Sequence, residues 1–441
     1  MKTAGHVLML LLCATALFGA TPDQLEDQLL DLEMRLEEVE TRVLIDKLQM
    51  GLGFVTRMDN LKTTLGDKSK RDQENIWSGK LMLNIGADIA PEMKFNGRLS
   101  MYKNWAASSY NPQSDIDPRQ GRYPGDSSLF VERAYVDWTL DSDWATPLTL
   151  TLGRQPSSDG PSHHFKDNTV RKSTYSALAF DGAADGVVAT LNLEKPLNMP
   201  HAAVRLAYGK GYQHFDANAS SPSPYTGATG VEDTALVGLF IDGSIPSVRG
   251  SLIQLGYVTA QDMVANPNTG DANVGDLALY GLMAEFTNLN DTRLDLFAHY
   301  GMSEGKPNGN APDGYGLLTS TPGDTSEKSG DALWAGLRYT FNFGCKPRLG
   351  FEYNQGSKNW SAFTWGSNDP LNKLAVRGQA YEVYFIRPLN RYSHLRLGYV
   401  SIEHDYSGSG NYLGAPMKVS DAGAMAVEKT ENLYLLFNLL Y

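Results

Sequence analysis

The chain is nearly without cysteine. Of two in 441 residues, Cys13 sits in an N-terminal apolar run, and beyond it only Cys345 remains, so no internal disulfide staples the fold. Long hydrophobic runs are missing after the N-terminus, where nothing approaches the roughly 20 apolar residues of a spanning helix. A helical membrane protein is thereby excluded. Basic excess is missing too: 50 acidic against 38 basic residues leave a net charge of −12, which excludes the basic footprint of a nucleic-acid binder. Catalytic motifs are absent as well. There is no HExxH, paired CxxC, GxSxG or phosphate-cradling loop, and His163-His164 is adjacent rather than spaced as metal ligands on one face. Asn266 to Asp276 is rich in oxygen ligands but lacks EF-hand spacing and reads as a turn. No enzyme, cofactor or metal site is expected.

What is present is glycine (43), tyrosine (22) and tryptophan (7) at a mean hydropathy of only −0.32. A barrel that turns alternate residues to lipid produces such a weak hydropathy signal. The last stretch, Asn432 to Tyr441, places Leu433, Leu435, Phe437, Leu439 and Tyr441 on one face, with the two-residue period of a strand against an apolar medium. Taken alone it also suits a buried strand of a soluble sandwich. An apolar edge strand is an aggregation hazard that barrel closure removes, and the stretch is expected to pair with the first strand at Leu48 to Phe54.

The N-terminus reads as a signal peptide over residues 1–20: Lys2, an apolar core from Val7 to Cys13, and small-residue cleavage sites at Ala14-Thr15-Ala16 or Gly19-Ala20. The leucines before Cys13 argue against a lipoprotein. Residues 21–45 read as a short periplasmic α-helix that opens with the cap Thr21-Pro22-Asp23-Gln24. It carries Leu25, Leu29, Leu32, Leu36, Val39 and Val43 at coiled-coil spacing, which suits a trimerising stub, a spacer or an amphipathic segment.

From residue 46 to 441 the period changes to two. Sixteen segments alternate, near 46–57, 76–90, 94–103, 129–140, 147–155, 184–193, 201–210, 234–243, 250–260, 276–286, 292–301, 331–341, 347–355, 377–387, 393–403 and 431–441. Short connections rich in turn formers, such as Pro91-Glu92-Met93, alternate with long ones rich in Gly, Ser, Asn, Asp and Pro, such as Asn104 to Ser128. That asymmetry predicts an all-β fold, a sixteen-stranded antiparallel transmembrane β-barrel in the bacterial outer membrane with both termini in the periplasm. Trp77, Trp138, Trp144, Tyr392 and Tyr441 fall near strand ends, as interfacial aromatics do.

The third long connection, from Gly153 through Asp185-Gly186, concentrates titratable groups. Asp159, His163, His164, Lys166, Asp167, Arg171 and Lys172 are the candidate pore constriction, a mixed-charge barrier if the loop folds inward and a solvated surface loop if it does not. Asp88, Arg98, Arg133, Asp137, Arg293, Asp295, Arg338, Glu352 and Arg396 fall on the polar face and are the candidate lining of a water-filled lumen.

Three stretches carry a resemblance: Phe95-Asn96-Gly97-Arg98-Leu99-Ser100-Met101-Tyr102-Lys103-Asn104-Trp105, Arg133-Ala134-Tyr135-Val136-Asp137-Trp138 and Gly153-Arg154-Gln155-Pro156-Ser157-Ser158-Asp159-Gly160-Pro161-Ser162. They are similar to a bacterial outer-membrane, porin-like family catalogued as a domain of unknown function, over the heptad helix and most of the barrel. The resemblance implies a Gram-negative outer-membrane location and assigns no substrate. The expectation is a porin passing small hydrophilic solutes or ions, embedded in lipid and lipopolysaccharide, with a homotrimer as the candidate assembly by analogy. The rivals are a barrel-anchored surface interaction protein acting through its long loops, and a sheath around an electron carrier.

Overall fold

A computed structural model describes residues 48–104, 128–140, 145–156, 160–171, 175–212, 231–265, 272–364 and 368–441. The expected signal peptide and helix lie outside these residues, as do Asp159, Lys172 and Trp144. The strands are β1 (Leu48–Leu65), β2 (Lys70–Ala90), β3 (Met93–Asn104), β4 (Ser128–Leu140), β5 (Leu148–Pro156), β6 (Ala183–Asn192), β7 (Ala203–Tyr212) and β8 (Thr234–Gly243). They continue as β9 (Ser251–Val264), β10 (Asn273–Phe286), β11 (Leu294–Pro307), β12 (Lys328–Thr340), β13 (Arg348–Gly356), β14 (Gly378–Pro388), β15 (Ser393–His404) and β16 (Val427–Leu440). Among the described residues two short α-helices lie between them, α1 (His163–Asp167) and α2 (Glu194–Leu197).

Each strand pairs antiparallel with its sequence neighbours, and β1 pairs with β16 to close a sixteen-stranded barrel. Closure runs in register from Gly53 opposite Leu440 to Asn60 opposite Leu433. The terminal residue extends it, with Tyr441 N–H donating to the Leu52 carbonyl and Leu52 N–H to the Tyr441 carbonyl, each at 2.7 Å. The expected meeting of the first and last strands is thus realised, and no free sheet edge remains.

The outward face is apolar all round, with Leu52, Leu239, Leu282, Leu337, Tyr399 and Leu433 among its exposed side chains. The inward face departs from the expected uniform polar lining. On β8 to β12 the inward positions Phe240, Val258, Leu277, Leu279, Phe297 and Trp334 are buried and apolar, and they join one core with Phe165, Leu178, Phe363, Leu374 and Tyr412 from the connections. Both faces of these strands are therefore apolar, because the barrel wall packs against chain that fills the lumen.

A second departure is at β1 and β2. These strands run past the expected ends at 57 and 76 to a tight connection at 66–69, so the first long loop is a strand extension. Its residues, such as Lys62, Thr63 and Thr64, pair with Asp72, Arg71 and Lys70. With polar residues on both faces, the extension carries no apolar alternation to mark it.

The lumenal loop and the cationic cavity beside it

The connection between β5 and β6 descends into the barrel. Its Ser162 hydroxyl donates to Glu285 Oε2 at 2.8 Å and lies 3.1 Å from His299 Nε2, while Ser176 Oγ lies 2.7 Å from His299 Nδ1. Arg338 Nη1 donates to the Phe165 carbonyl, and Arg396 Nη1 to the Lys166 carbonyl, both at 2.7 Å. Glu285, Arg338 and Arg396 stand near the strand ends on the short-turn side. The loop tip thus lies deep in the lumen, and Arg171 Nη2 reaches within 3.3 Å of His201 Nδ1 in the β6–β7 turn.

The wall makes room for what fills it. At Gly301, a Cβ would stand 2.7 Å from the ring of Trp360, whose indole N–H donates to the Leu374 carbonyl at 2.9 Å. The β13–β14 connection in turn hydrogen-bonds the lumenal loop: Asp181 N–H donates to the Phe363 carbonyl at 2.7 Å and Phe363 N–H to the Ala179 carbonyl at 2.9 Å. Arg377 ties this connection to the one between β15 and β16, donating to the carbonyls of Trp360, Ser407 and Asn411.

The candidate constriction residues are brought together, but mostly as buried partners. His163 Nε2 is 3.3 Å from Asp181 Oδ2. Burial alone would lower its pKa, yet the hydrogen bond and charge of Asp181 raise it. His164 is pushed down to about 3 by burial and then by the charges of Arg338 and Arg171, so it is neutral at pH 7. Lys166 Nζ lies 3.1 Å from Glu382 and 3.8 Å from Asp369, and Asp167 binds Arg396 at 2.7 Å. Of the described candidates, Asp167 and Arg171 border open space.

The candidate lining divides in three. Arg98 and Arg396 border the open part of the lumen. Asp295 is buried against Arg338 at 2.7 Å, and Glu352 against Lys373 at 2.6 Å, so these three line packed protein rather than water. Arg133 lies 3.9 Å from Glu132, Asp137 accepts from Thr151 at 2.6 Å, and Asp88 is exposed, 3.6 Å from Lys94. Arg293 leaves the set. It is exposed in the turn before β11 with φ 65°, because β11 begins one residue later than the expected lumen-facing position requires.

Several important residues are not among the candidates that the sequence singles out. Lys373 bridges Glu352 and Glu382, and Tyr434 donates to Glu382 at 2.6 Å. Arg57 pairs with Asp59 at 2.7 Å and sits 4.1 Å from the centre of the Tyr434 ring. Lys80 pairs with Glu132 at 2.9 Å. The inward parity of Arg57, Lys80, Glu382 and Tyr434 along their strands was a usable signal; Lys373, in a loop, offered none.

Between this packed mass and the wall of β1, β2, β3 and β16 lies a cavity of about 500 Å³. Among the described residues Arg57, Lys80, Arg98, Asp167, Arg171 and Arg396 are the charged groups at its surface. Asn368 of the β13–β14 connection also borders it, accepting from Lys80 Nζ and from the Tyr102 hydroxyl, both at 3.1 Å.

A closed sixteen-stranded barrel with an infolded loop defines a porin-like protein. The chain belongs to the family described as a protein of unknown function (DUF3373), which matches residues 70–441. No curated protein matches it. Its fold is similar to that of Pseudomonas putida OprB at high pH, at 14% identity and TM-score 0.51 over 91% of this chain and 96% of that one. It is likewise similar to Salmonella typhi OmpF in complex with daunomycin, at 12% identity and TM-score 0.50 over 89% and 98%. Likeness at this distance concerns the fold alone.

Proposed function

We propose that the protein is an outer-membrane channel for passive diffusion of small solutes, with its termini and short turns on the periplasmic side. The continuous apolar outer face suits lipid, since a closed barrel leaves no backbone group unpaired there. The even strand count puts both ends of the barrel on the side of the short turns. The observation that carries the reading is the cavity beside the lumenal loop: sixteen strands enclose more space than side chains fill, and here the surplus is collected against one wall. The lumenal loop narrows the passage and sets its charge. Purified protein in a planar bilayer should show stepwise conductance, and its absence would remove the channel. Deleting residues 161–173 should enlarge the steps; unchanged steps would show that the loop does not limit flow.

A further inference from the structure

The cavity combines two properties that a route for neutral hydrophilic solutes does not need together. Among the described residues cations dominate its surface: Arg57, Lys80, Arg98, Arg171 and Arg396 against the one carboxylate of Asp167. Asp59, Glu132 and Glu285, which partner Arg57, Lys80 and Arg171, do not border it. The carboxylates thus hold the cations in place from the side away from the void. Val55, Met82, Val170, Pro370, Leu436 and Leu440 form an apolar part of the surface, beside the polar Ser78, Thr169, Asn368 and Asn438. Val170, 87% exposed, projects from the loop. Tyr102 also borders the cavity and is stacked behind on Phe130, with centroids 5.4 Å apart and planes 6° from parallel.

A hydrated chloride or phosphate would use the cations and waste the apolar wall, and a sugar would use neither fully. We propose that the cavity is a binding site for small organic anions with an apolar body, carboxylates of the benzoate kind, whose charged end meets the guanidinium groups while the body lies against Val55, Leu436 and Val170. Its volume falls within the ~300–1,000 Å³ of small-molecule sites. A site that binds through a few charge-assisted contacts and an apolar face can also release, as conduction demands. The assignment rests on the channel reading for passage but not for binding.

The test uses the purified full chain. In a planar bilayer with a potassium chloride gradient, the reversal potential should show anion preference. With potassium benzoate on one side and potassium gluconate on the other, benzoate should be the more permeant carboxylate. Arg57→Gln combined with Arg98→Gln should reduce the anion preference roughly threefold, a modest factor because Lys80, Arg171 and Arg396 remain at the cavity, with barrel folding checked by heat-modifiable electrophoretic mobility. Potassium preference, or gluconate passing as well as benzoate, would overturn the proposal. If no conductance steps occur at all, the channel fails, and calorimetric titration with benzoate decides the site by itself: saturable binding weakened by the double substitution supports it, and no binding ends it.

Discussion

The two sides of the lumen are built from the same strands and are opposite in kind. Against β8 to β14 the interior is dry. Trp334 and Trp360 are fully buried, and Lys373 is held between Glu352 and Glu382 at 1% exposure. Against β1, β2, β3 and β16 the interior is hollow, and cations such as Arg171 meet open space. A charge on the dry side is stable only as part of a complete network, because its desolvation must be offset by near partners. On the hollow side the cations keep partners too, Arg57 with Asp59 and Lys80 with Glu132, but each also borders the cavity, where a passing solute can meet it. The difference teaches that a barrel of this width can carry a soluble-type core and a passage side by side.

The largest effect expected is on the dry side. Lys373→Met leaves Glu352 and Glu382 without their shared cation and should cost about 3–5 kcal/mol, read as a lowered urea midpoint. Adding Glu382→Gln should recover part of the loss, and no recovery would show that the network is not what Lys373 stabilises. Trp360→Ala should cost about 3–5 kcal/mol and open the loops to protease, whereas Val170→Ala at the exposed edge of the cavity should do neither; equal protease sensitivity would erase the contrast between the halves.

A pH effect of intermediate size follows from the loop histidines. His164 binds its proton less readily folded than unfolded, at about 3 against 6.5, so its contribution is present above pH 6.5 and lost as pH falls toward 3. His163 has the opposite sign: its contribution is present below 6.5 and lost as pH rises through its raised value. Acid should therefore loosen the loop through His164 and raise single-channel conductance, and His164→Phe should blunt that rise. Identical acid profiles for wild type and variant would refute it. The smallest effect belongs to the exposed pair of Arg154 and Asp185, 2.8 Å apart. Arg154→Gln should change stability by no more than about 1 kcal/mol.

Much of the barrel was legible because lipid enforces a period of two. At β16, Leu433, Leu435, Phe437 and Leu439 face outward as their spacing demanded, and the pairing with β1 followed. The extension of β1 and β2 was not legible, since a strand wet on both faces has no apolar alternation. The site was legible only in part. The loop of His163 to Arg171 stood out by its charge, and it does enter the lumen. Its histidines and Lys166 are buried, however, and the cavity's cations on β1 and β2 were passed over, because a single Arg57 or Lys80 in a strand resembles any other inward polar residue.

What the chain determined by itself is the alternation of faces and of short and long connections, and with them the sixteen strands and their order. Both are local properties, set by which residues can meet lipid and which can turn. Which half of the lumen is filled was decided only in three dimensions. Phe165, Phe363 and Tyr412 come from three connections far apart in the chain, and they bury one another only once the barrel has brought those connections together. The cavity is what their packing leaves open, so its position and the cations around it are consequences of tertiary structure rather than of any one segment.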